Sequence, residues 1–75
     1  MNGARPDLEL LARLHVYQRW TVTAGAFSWP ASSLALALRL ANTRNGERPM
    51  IASARGDVRI DYPQVRRLIE AAARR

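Results

Sequence analysis

The chain has 75 residues, no cysteine, and twelve basic against six acidic side chains, a net charge of +6. That length fits a single domain, 1–75, with a core that buries only about 60–65% of the unfolded surface. Lack of cysteine excludes disulfides, thiolate metal sites and thiol nucleophiles, and fits a reducing compartment, the cytoplasm.

Charge is unevenly placed. Residues 1–37 carry Arg5, Arg13 and Arg19 against Asp7 and Glu9, a net of +1. Residues 38–75 carry nine arginines against Glu47, Asp57, Asp61 and Glu70, a net of +5. No lysine occurs, so every basic group is a guanidinium, the better bidentate donor to phosphate and carboxylate. A basic half of this kind attracts polyanions over a Debye length of about 8–10 Å.

In chain order, residues 1–5 read as frayed, with no apolar run that would mark a leader. Pro6 suits a first helical turn, and Asp7 and Glu9 favour its positive end. Leu10, Leu11, Leu14 and Tyr17 recur at helical spacing, which predicts a helix over 6–20. Its end is blurred, because Trp20, Thr21, Val22 and Thr23 prefer extended backbone. Residues 23–30 read as a connector that holds Gly25, Phe27 and Trp29.

A second helix is expected over about 30–43, with Ser32 or Pro30 at its start. Leu34, Leu36, Leu38 and Leu40 alternate with Ala35, Ala37, Arg39 and Ala41, which is a strand period. Leu and Ala are nonetheless leading helix formers, and no β-branched residue interrupts them. The helix is preferred, and the strand reading is the alternative. A helix apolar on nearly all sides is either buried or shared with a second copy, so 34–41 is a candidate homodimer surface. Residues 34–38 form the longest apolar stretch, far below a bilayer span.

Asn45-Gly46 then marks a stop. Two short extended runs flank Arg55-Gly56-Asp57 and predict a hairpin. With a three-residue loop, Met50, Ala52 and Ala54 would face Val58, Ile60 and Tyr62, leaving Ser53 and Arg59 outward. Asp61 and Gln64 have capping-box spacing. Val65, Leu68, Ile69 and Ala72 follow at i, i+3, i+4 and i+7, the apolar face of a last helix. Glu70 and Arg74 stand four apart as a favourable pair.

The expected fold class is α+β, mainly helical, with three helices and a β-hairpin before the last. If 34–40 were strand, the order would become αβββα, which resembles a double-stranded-RNA-binding domain in outline. The preferred order resembles a winged helix, with the hairpin as wing. That resemblance implies a recognition helix presenting Ser32, Ser33, Arg39, Asn42 and Arg44, and a wing region with Arg48, Arg55 and Arg59.

Catalytic signals are absent from the pattern. His15 is the single histidine, the acids are scattered, and Gly3, Gly25, Gly46 and Gly56 never cluster into a phosphate loop. No enzyme activity, metal or cofactor is expected. The expected function is a small DNA- or RNA-binding regulator, DNA ahead of RNA, of the kind phages and mobile elements encode for transcription control. The alternative is a protein-binding inhibitor or adaptor that docks on an acidic surface of host machinery. Trp20, Phe27, Trp29 and Tyr62 are its candidate anchors, because aromatic residues and arginine dominate interface energetics.

Overall fold

Strict alternation, not helical spacing, governs residues 20–31. Trp20, Val22 and Ala24 are buried, while Thr21 and Thr23 between them are half-buried. This period-two pattern with β-branched threonines makes strand β1, Trp20–Ala24. Gly25 and Ala26 turn the chain, and Phe27–Ala31 returns antiparallel as β2. Gly25 has φ +61, the left-handed conformation that a two-residue hairpin turn demands and glycine supplies without strain.

The computed structural model describes residues 4–74. Its elements are α1 (Ala4–Leu14), β1, β2, α2 (Leu34–Thr43), a 3-10 turn (Asn45–Glu47), β3 (Met50–Ser53), β4 (Arg59–Ile60) and α3 (Tyr62–Ala73). The four strands form one antiparallel sheet in the order β2-β1-β3-β4. The α+β class with three helices is therefore observed, but the order is αββαββα.

Several expectations are corrected here. The first helix ends at Leu14, six residues early, because Trp20 has to enter the sheet. The aromatic connector is really the β1–β2 hairpin. The winged-helix order fails because the β3–β4 pair is the edge of a four-stranded sheet, not a projecting wing. Residues 34–40 are helical, which removes the αβββα alternative. Of the expected frayed start, residues 1–3 lie outside the described residues, and helical backbone begins at Ala4.

Hairpin register is also corrected. The loop has four residues, Ala54 to Asp57, closed by the Ser53 amide on the Val58 carbonyl at 2.9 Å. Ile51 pairs with Ile60 and Ala52 with Arg59, so Ile51 and Ser53 face inward where Met50 and Ala52 were expected. One extra loop residue exchanges the faces of a strand. Ser53 is 4% exposed, and its hydroxyl is satisfied: it donates to Asp57 Oδ1 at 2.6 Å and accepts from the Val58 amide at 3.0 Å.

A single core joins one face of the sheet to all three helices. Leu11 and Leu14 come from α1, Leu34, Ala37, Leu38 and Ala41 from α2, and Val65, Leu68 and Ala71 from α3. They meet Trp20, Val22, Ile51 and Ile60. Ser33 caps α2 by accepting from the Leu36 amide at 3.2 Å. Asp61 is the N-cap of α3 by backbone conformation, yet its side chain makes no capping bond and lies 3.5 Å from Arg59 Nε. Gln64, the expected reciprocal cap, donates instead to Asp7 Oδ1 of α1 at 3.3 Å. The sheet face away from the helices carries half-buried Thr21, Thr23, Met50 and Ala52 with exposed Arg59.

Candidate functional site

The residues around the C-terminal end of α2 form a polar surface held by ring contacts and side-chain hydrogen bonds. Helix α2 ends at Thr43, whose hydroxyl donates to the Leu40 carbonyl at 2.7 Å. The 3-10 turn then carries the chain across to β3. This short path leaves Arg44 and Arg48 at its two ends, each placed against an aromatic ring.

Arg44 Cζ lies 4.9 Å from the centroid of Trp29. Trp29 is a helix-side residue of β2, but β2 is an edge strand, so its ring is half-buried at the border of the sheet. Phe27 lies beside it, with centroids 5.9 Å apart, and stands 61% exposed. At the other end of the turn, Arg48 Cζ lies 5.5 Å from the centroid of Tyr62. Arg48 has φ 54 and ψ 61, making it the one non-glycine residue with positive φ among the described residues. A side chain held there against its backbone preference marks a position fixed by its surroundings.

Side-chain amides brace the Tyr62 end of this surface. Asn45 Oδ1 accepts from Tyr62 Oη at 2.8 Å and from Arg66 Nη1 at 3.2 Å. Arg66 also reaches Asn42 Oδ1 at 3.5 Å and Glu70 Oε2 at 3.6 Å. Glu70 thus pairs with the arginine before it, not with Arg74. Glu47 lies 3.9 Å from Arg44 in an exposed pair, which competes weakly with any stronger anion.

The expected site residues divide as follows. Asn42, Arg44 and Arg48 from the nucleic-acid set join Phe27, Trp29 and Tyr62 from the protein-interface set, so two separate lists become one patch. Trp20 is excluded from any surface role: it is 1% exposed, and its Nε1 donates to the Tyr17 carbonyl at 3.0 Å. Arg39 sits on the wall of an apolar groove beside Leu36 and Leu40. Arg59 points from the helix-free sheet face and pairs with Asp61. Arg55 lies at the opposite end of the sheet. There it lines a cleft of about 570 Å³ with Arg19, Tyr17, Ser53 and Asp57. The arginines of the second half are therefore not gathered on one face.

Arg66 was missed as a site residue because its spacing reads simply as the solvated side of α3. Its signal was positional: it follows Tyr62 by four residues, one helical turn. Within the 34–41 segment Leu34, Ala37, Leu38 and Ala41 are spent in the core, which leaves Leu36, 41% exposed, and half-buried Leu40 at the surface. No group of three or more His, Cys, Asp or Glu among the described residues is placed to hold a metal ion. No helix among them is long and apolar enough to cross a membrane. Comparison with protein-family models, curated proteins and solved structures found no match to this chain.

Proposed function

We propose that this chain is a small cytoplasmic nucleic-acid-binding regulator that grips unpaired or distorted strands through Trp29, Arg44, Arg48 and Tyr62. The observation that carries this reading is the pair of guanidinium–ring stacks held on one seven-residue segment, Asn42 to Arg48. A guanidinium stacked on a ring is oriented before binding, and its in-plane N–H groups still point outward to phosphate. The exposed Phe27 ring adds a platform on which a base can stack, whatever its identity.

Duplex groove reading is less well supported. The buried side of α2 is committed to the sheet, and its outward side offers Arg39 as its single charge within Leu34–Thr43. A recognition helix needs several side chains that reach base edges. The surface instead has the composition of single-strand binders, aromatic rings interleaved with arginine.

Fluorescence anisotropy with labelled single-stranded DNA, single-stranded RNA and duplex DNA tests this directly. Single strands should bind more tightly than duplex, and affinity should fall steeply between low and moderate salt as counterions are released. No binding to any of the three at low salt would refute the proposal. If poly-glutamate competed as well as nucleic acid, an acidic protein surface would replace nucleic acid as the ligand.

A further inference from the structure

We propose that a second site, the groove between the end of β2 and helix α2, docks a segment of a partner protein in which an aliphatic side chain is flanked by carboxylates. This site borders the nucleic-acid patch at Thr43, but none of Trp29, Arg44, Arg48 or Tyr62 lines it, and the inference does not depend on that patch. The groove has a volume of about 380 Å³. Pro30, Ala31, Leu36 and Leu40 line it with Ser32, Thr43 and Arg39. That size is at the small end of ligand pockets and suits one side-chain anchor with its neighbours.

Leu36 is the reason to look here. It is 41% exposed, although the core-facing positions of α2 are already filled by Leu34, Ala37, Leu38 and Ala41. Its remaining exposed apolar surface would gain from being covered. No aromatic ring lines the groove, so it lacks what a nucleobase would stack on.

Charge selects the occupant. No acidic residue lines the groove, and its charged group is Arg39. A carboxylate beside the aliphatic anchor would complete it. A second copy of this chain fits poorly, because a two-fold contact on this groove would put two Arg39 side chains into one interface between proteins of net charge +6 each. Pairing along the β2 edge is blunted as well, since Pro30 takes one backbone donor out of that strand.

Selection from a phage-displayed random peptide library on the intact chain, with Leu36→Glu used afterwards as a binding control, tests the proposal. Enriched peptides should share an aliphatic residue next to Asp or Glu, and should bind Leu36→Glu at least about tenfold more weakly. Arg39→Glu should turn the preference to Lys and Arg beside the same anchor. Both substitutions are at exposed positions, and an unchanged melting temperature checks that they fold. Enrichment without an aliphatic–acidic pattern, or equal binding to Leu36→Glu, overturns the inference. So does a dimer in sedimentation that Leu36→Glu abolishes. Nucleic-acid anisotropy should be unchanged in Leu36→Glu, and peptide selection unchanged in Trp29→Ala, so failure of one site is distinguishable from failure of the other.

Discussion

The two ends of the sheet carry the same residue type in opposite physical states. At the end where β2 begins and β3 starts, Arg44 and Arg48 lie on aromatic rings and Arg66 is held by amide oxygens. At the other end, Arg19 and Arg55 flank an open cleft whose acid, Asp57, is bound to Ser53. The first set has lost much of its rotamer freedom on folding, so a ligand has less ordering left to impose. The second has to be ordered by the ligand, at about 0.5–1.5 kcal/mol for each long side chain. Counting arginines makes the two ends look equivalent, whereas their support makes them different.

The largest effect should come from removing the floor beneath the organised end. Leu38 is 5% exposed in the core under α2, and Leu38→Asp places an unpaired carboxylate there at a cost of several kcal/mol. Loss of a cooperative thermal transition is the expected result, and an unchanged melting temperature would show that α2 is not packed as described. Next, Trp29→Ala should weaken single-strand binding by about 1–3 kcal/mol in anisotropy titrations, the range for one stacking ring. Equal binding by this variant would erase the distinction between the two ends.

Arg48→Gly sharpens the comparison differently. Glycine relieves the left-handed backbone but adds freedom to the unfolded chain, and the two effects are each about 1 kcal/mol and opposed. Thermal stability should hardly move while affinity falls several-fold. A large loss of stability would show that Arg48 serves the fold and not the ligand. Arg55→Ala should act more weakly, lowering affinity alike for all sequences and reducing the salt slope by about 1 if it meets one phosphate. Arg59→Ala should be smallest of all. Its pair with Asp61 is 69% and 75% exposed, so denaturation should shift by less than about 0.5 kcal/mol.

How much of this was legible in the sequence varies by element. Helix α3 was read closely, because its apolar residues follow one period without interruption and a proline sits in its first turn. Helix α2 was legible as a helix against an alternating leucine pattern, since propensity outweighed period where three of the four residues alternating with the leucines are alanine, but it begins at Leu34 and not near 30, because Pro30 and Ala31 belong to β2. The β1–β2 hairpin was missed. Its signal was present in the alternation of Trp20, Val22 and Ala24, a Gly-Ala turn, and the alternation of Phe27, Trp29 and Ala31. Pro30 was assigned to the start of the second helix, whereas it is tolerated in β2 because that strand lies at the edge of the sheet, where a missing donor costs little.

What the chain determined locally is its inventory: a basic second half, three helices, a last hairpin, and aromatic and arginine residues in the right number for binding. Those follow from propensity, spacing and charge, which act over a few residues. Which arginine meets which ring was decided only by tertiary structure. Trp29 meets Arg44, and Tyr62 meets Arg48, because the sheet order sets the edge strand beside the end of α2 and the start of α3. Trp20 and Trp29 show the same division. Both are tryptophans in strands, yet one is central and buried and the other sits at the edge and is half-exposed, a difference that strand order creates and local sequence does not contain.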